Sequence, residues 1–356
     1  MDLKLSSHTA TQTEIDAIHS ALGRWPVEPA SGPVTRDAEE NLCWLSADGS
    51  EIATSSPTAG LHFWKTESGQ TIRRWPVTAS NRSRTVKVSP DGRLAALGQA
   101  DGSISIVSCT TGTSAPLKGH AGGVEAFEFS PDGRLLVSAG RDRCLRWWDL
   151  VAREEVAVTK LEGREGRGPG PMVSDFAFSP DGGTLAGAGS SELQKWNTTT
   201  HAALPCEIPA WMRVNYSPDG HWLVVGAFGE EVRIFDTLTG EPRASFAGHS
   251  EGVLGCAIAP DGLSMVSTSS DGTLRIWSMA TSRELALFWQ KGRGFDRPMF
   301  SKDGRVLAVG SSQGTGGQAI LWRAPSWEEI AAIEKNRPTP QRREDEPPPP
   351  PPLPPK

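Results

Sequence analysis

The sequence predicts an all-β protein, a seven-bladed β-propeller of four-stranded antiparallel blades, and three observations carry that reading. A turn phrase occurs seven times: Ser46-Ala47-Asp48-Gly49, Ser89-Pro90-Asp91-Gly92, Ser130-Pro131-Asp132-Gly133, Ser179-Pro180-Asp181-Gly182, Ser217-Pro218-Asp219-Gly220, Ala259-Pro260-Asp261-Gly262 and Ser301-Lys302-Asp303-Gly304. Successive turn aspartates lie 43, 41, 49, 38, 42 and 42 residues apart, the length of one blade. The chain also carries 13 Trp against a single Tyr, and the tryptophans gather at one recurring place, the end of a short apolar run.

Taken in order, residues 1–20 read as an N-terminal arm and 21–325 as the ring, with blades starting near 39, 82, 122, 172, 210, 252 and 294. In each blade the turn phrase is a hairpin tip. Proline presets φ, aspartate folds its carboxylate onto the backbone, and glycine accepts positive φ. The first strand precedes the tip, as in Val124-Glu125-Ala126-Phe127-Glu128-Phe129, and the second follows it, as in Leu223-Val224-Val225-Gly226-Ala227. Both are about five residues long and suit strands. The third run ends in a large aromatic, as in Leu145-Arg146-Trp147-Trp148 and Leu274-Arg275-Ile276-Trp277, and a more polar fourth run follows, as in Glu241-Pro242-Arg243-Ala244-Ser245-Phe246. The long spacing into blade 4 carries Glu162 to Pro171, read as a polar exposed loop.

An open ring would leave two bare sheet edges, and two segments compete to supply the outer strand of blade 7. Residues 326–335 are read as a short helix, because Ser326 and Glu329 make a capping box and Trp327, Ile330 and Ala331 follow helical spacing. Residues 21–27 take the strand, since Gly23-Arg24-Trp25-Pro26-Val27 echoes Arg73-Arg74-Trp75-Pro76-Val77. Ten of the 28 prolines fall in the last 23 residues, so 336–356 read as a Pro-rich tail, disordered or polyproline II. It is either a solvated tether or a ligand for a polyproline-binding domain.

Two blades carry more. Gly119-His120 with Trp148-Asp149, and Gly248-His249 with Trp277-Ser278, place Trp 28 residues after His. Asp142 and Asp271 stand six residues before those Trp, and Ser138 and Ser267 four before the Asp. With the seven turns, these residues resemble the WD-repeat family of β-propellers over residues 39 to about 323. The resemblance implies a hydrogen-bond relay through His120, Ser138, Asp142 and Trp148, and a second through His249, Ser267, Asp271 and Trp277. The other blades end in Trp64-Lys65, Val107-Ser108, Trp196-Asn197, Phe235-Asp236 and Trp322-Arg323 without a Gly-His, so packing is expected to hold them.

The formal charge of -6 offers no global positive field, so neither nucleic acid nor membrane is an expected partner. Apolar runs of about five residues are far short of a membrane span, and Met1 to His8 contains no apolar signal core. A soluble, cytoplasmic monomer is expected. The five Cys lie far apart and the seven His form no metal-ligand spacing, so no metal and no cofactor are expected. There is no nucleophile elbow and no phosphate loop, and the repeated turn carboxylates read as scaffold rather than acid–base pairs. The chain is therefore expected to be no enzyme but a scaffold for partner proteins or peptides. By the resemblance, partners dock on the face whose loops enter the first strands and link the second to the third. Those positions include Arg82, Arg84, Glu125, Arg141, Met172, Met212, Phe228, Leu254, Ser270 and Asp296, with Arg82, Arg84 and Arg141 as a basic patch for an acidic peptide. Two alternatives stay open: a regulatory or sensor module of a signalling system, and a propeller enzyme with a site in the central channel.

Overall fold

The computed structural model describes residues 41–56, 60–76, 86–161, 173–189, 193–209, 213–226, 230–289, 294–311 and 319–323. They form seven antiparallel sheets joined in simple up-and-down order, with no helix among the described residues. Six sheets have four strands, and the seventh has three within the described residues. The expected arm, the closing strand 21–27, the 162–171 loop, the helix 326–335 and the tail all lie outside them.

Each turn phrase closes the first hairpin of its blade as its chemistry requires. The seven turn glycines take φ between +70° and +75°, and each N–H reaches the carbonyl three residues back at 2.8–2.9 Å. In the six blades that begin the phrase with serine, its hydroxyl donates to the turn aspartate at 2.5–2.7 Å. The same oxygen accepts the N–H five residues on at 2.8–2.9 Å. Blade 6 has Ala259 there, so it lacks both serine bonds but keeps the backbone bonds and the Leu263 N–H to Asp261 Oδ1 bond at 2.9 Å.

The first strands, Asn41–Leu45, Val86–Val88, Val124–Phe129, Val173–Phe178, Arg213–Tyr216, Val253–Ile258 and Phe295–Phe300, touch one another in ring order, the seventh meeting the first. They therefore wall a central channel, and the fourth strands form the rim. The core is divided among the seams between blades. Leu145 and Trp147 of blade 3 pack on Val173, Phe176 and Trp196 of blade 4. At the closing seam, Leu42, Ile52 and Trp64 of blade 1 pack on Val306, Ala308 and Leu321 of blade 7. Two polar contacts cross the same seam: Lys302 N to Ala47 O at 2.7 Å, and Arg323 Nη1 to Glu67 Oε1 at 2.7 Å. Antiparallel order puts the Asp-Gly turns and the third-to-fourth turns on one side, the turn face. The blade-to-blade and second-to-third links occupy the other, the loop face.

Candidate functional site

The structure brings each set of relay residues together. In blade 3, Trp148 Nε1 donates to Ser138 Oγ at 2.8 Å. His120 Nε2 lies 2.8 Å from the same hydroxyl. Its Nδ1 faces Asp142 Oδ1 at 2.8 Å, and because the ionised carboxylate only accepts, Nδ1 carries the proton of the neutral imidazole and Nε2 accepts the Ser138 hydroxyl hydrogen. Asp142 also accepts from Ala121 N at 3.0 Å, pinning the chain that enters the blade. Blade 6 repeats the chain: Trp277 to Ser267 at 2.7 Å, Ser267 to His249 at 2.7 Å, and His249 to Asp271 at 3.1 Å. Burial lowers the His120 pKa below its ordinary 6.5 even though Asp142 pulls the other way. Burial acts to raise Asp142 and Asp271, but the histidines and backbone N–H groups outweigh it and hold both carboxyls below 3.8. Blade 1 keeps a fragment of the device that sequence reasoning missed: Trp64 Nε1 donates to Thr54 Oγ1 at 2.8 Å. Thr54 stands ten residues before its Trp, as Ser138 and Ser267 do, and that shared offset was the available signal.

Within the channel a cavity of about 450 Å³ lies among the first strands of blades 2 to 7 and extends to the turn-phrase prolines Pro90 and Pro131. Its charged groups converge from blades far apart in sequence. Arg213, 5% exposed, donates from Nε to Leu254 O at 2.5 Å and from Nη2 to Asp296 Oδ1 at 3.2 Å, with Asp175 Oδ1 at 3.9 Å. One guanidinium thereby ties blades 4, 5, 6 and 7 together. Burial works against its charge, yet Asp175 and Asp296 more than offset this and raise its pKa. Deeper in the channel, Lys87 of blade 2 is bonded to Glu128 of blade 3. Burial pushes the Cys43 and Cys256 thiols up to about 12, which leaves them inert as nucleophiles. Among the described residues no cluster of three His, Cys, Asp or Glu could hold a metal.

Of the ten predicted docking positions, Glu125, Arg141, Leu254, Ser270 and Asp296 fall within the described residues, at the loop-face end of their blades. Arg82, Arg84, Met172, Met212 and Phe228 lie outside them. Arg141 Nε donates to Glu125 Oε1 at 2.5 Å, so two predicted positions neutralise each other. Leu254 and Asp296 meet through Arg213, which the sequence reasoning did not single out. Its signal was the repeat register, since Asp175, Arg213 and Arg297 each stand six residues before their turn aspartate and so share one level of the channel.

Residues 111–149 and 240–278 match the WD40 family model, described as WD domain, G-beta repeat. Each matched stretch contains one complete relay. The chain is 28% identical over 201 residues to transcription initiation factor TFIID subunit 5 of Caenorhabditis elegans, covering 55% of this chain and 30% of that protein. It is 26% identical over 232 residues to target of rapamycin complex subunit wat1 of Schizosaccharomyces pombe, covering 58% and 71%. It is 26% identical over 261 residues to the guanine nucleotide-binding protein subunit beta of Arabidopsis thaliana, covering 66% and 59%. For the first and third of these, the chain spans less than two thirds of the relative.

Proposed function

Starting from a chain that is a WD-repeat β-propeller, with two matched repeats in a ring of seven blades, we propose that it is a non-catalytic scaffold holding a partner protein on the loop face. The observation that carries this is the Arg213 network. It fixes the channel mouth across four blades, so the face meets a partner already ordered and loses little entropy on binding. Each carboxylate in this wall faces a cation: Glu128 meets Lys87, and Asp175 and Asp296 meet Arg213. Among the described residues none is left unpaired as a candidate general base for a channel enzyme. Two relatives are by name subunits of a transcription initiation factor and of a target of rapamycin complex, which supports a place among other proteins here.

The test is affinity capture with paired variants. Leu254→Glu with Ser270→Arg on the loop face is expected to lose the co-purifying proteins. Leu238→Glu with Leu263→Arg on the turn face, where these side chains are 91% and 52% exposed, is expected to keep them. Equal capture by both variants would remove the loop face as the docking surface.

A further inference from the structure

The charges in the channel wall do not all cancel in pairs. Lys87 is held by Glu128, and Arg213 by Asp175, Asp296 and the Leu254 carbonyl. Arg297, which lines the same cavity, has no carboxylate partner among the described residues, and its Nη1 is buried without an acceptor. A guanidinium serving only the fold is ordinarily paired.

The backbone around Arg297 is unusual in the same place. Arg297 holds φ +47°, a left-handed conformation that residues with side chains rarely adopt, where the pairing register slips between Asp296 and Met299. The neighbouring first strand gives way to it. A Cβ on Gly255 would lie 2.5 Å from Pro298 Cδ and 2.9 Å from Arg297 N, so only glycine fits beside this bulge. Strain, a bulge and a glycine thus combine to hold an unpaired cation in the channel wall, and such strained positions cluster at binding sites.

We propose that Arg297 anchors a carboxylate of the docked partner, an acidic side chain that enters the channel mouth from the loop face. The proposal rests on the loop-face reading above. A carboxylate takes two parallel N–H···O bonds from the guanidinium fork, and a turn of that group towards the channel gives Nη1 the acceptor it lacks. A basic side chain would instead meet Arg297 and Lys87, with the local carboxylates already engaged. The cavity is sized for one or two side chains rather than a folded element. Acid recognition thus shifts inward from the expected surface patch, where Arg141 is already paired with Glu125.

The probe is a fluorescein-labelled peptide of four Gly-Glu repeats, compared with its Gly-Gln and Gly-Lys counterparts and with free glutarate, titrated onto the full chain by fluorescence anisotropy. The glutamate peptide is expected to bind at least about tenfold tighter than the others and than glutarate, as one bidentate pair permits. Arg297→Met is expected to weaken it about tenfold, Arg297→Lys less, and Arg93→Met on the turn face not at all. Equal binding of the glutamate and glutamine peptides, no binding of the former, or an unchanged affinity in Arg297→Met overturns the proposal. A glutamate peptide no tighter than glutarate overturns the docked segment as its source. If Arg297→Met fails to fold, the peptide comparison on the native chain decides. A failed peptide result beside loop-face variants that still lose capture removes this inference alone; failure of both removes the docking face as well.

Discussion

His249→Ala is expected to lower the unfolding midpoint by about 6 °C, and His120→Ala by a similar amount, while His201→Ala shifts it by about 2 °C or less. Both relay side chains are fully buried. Removing either strands a serine hydroxyl and an aspartate that the fold has already desolvated, at about 3 kcal/mol. His201 offers a control, because it contacts Trp147 ring to ring at 4.9 Å but closes no relay. Equal shifts from all three would remove the relay as a structural device. The same network sets a pH dependence. Folded His120 resists protonation, so the unfolded chain takes that proton first as pH falls. The contribution is complete above about 6.5 and is lost as pH falls towards the lower folded value. A second loss follows below 3.8, where Asp142 and Asp271 give up the charge that their partners stabilise. The midpoint should therefore fall between pH 7.5 and 5.5, and fall less steeply in His120→Ala; parallel slopes would contradict the assignment.

Gly102→Ala is expected to cost about 4 kcal/mol and to depress soluble yield, against about 1 kcal/mol for Gly262→Ala. Both glycines hold positive φ, +88° and +71°, so both substitutions carry the left-handed penalty. Only one meets a wall. A Cβ on Gly102 would lie 2.3 Å from His120 O and 2.5 Å from Gly122 O, whereas one on Gly262 meets nothing within 4 Å. Those carbonyls belong to the segment that carries the relay histidine into blade 3, so relief of the clash must move the seam between blades 2 and 3. Denaturant midpoints of the two variants give the comparison, and matching values would show that φ alone governs both sites.

Seven Asp-Gly turns spaced near 42 residues made the ring readable, because each turn is a local event that glycine and aspartate impose on their own neighbours. The relays were readable for a related reason: His120, Ser138, Asp142 and Trp148 all belong to one blade unit, and fixed offsets encode their meeting. Local logic also misled. Arg141 looks like a free surface charge in the sequence, yet Glu125, 16 residues earlier, takes it. The channel mouth was hidden because its partners come from different blades. Arg213 lies 41 residues from Leu254 and 83 from Asp296, and nothing in either flank announces the encounter. Only the closed ring sets them side by side. The orphan Nη1 of Arg297 is less legible still, since an absent partner leaves no motif.

The most direct test of loop-face docking is a photo-crosslinking map of the full chain in its native extract. A photoreactive residue is placed singly at Leu254 and Ser270 on the loop face, and at Leu238 and Leu263 on the turn face. Discrete partner adducts are predicted from Leu254 and Ser270 and none from Leu238 or Leu263, although the turn-face positions are open to solvent and apolar. Adducts confined to Leu238 and Leu263, or spread evenly over both faces, would contradict it.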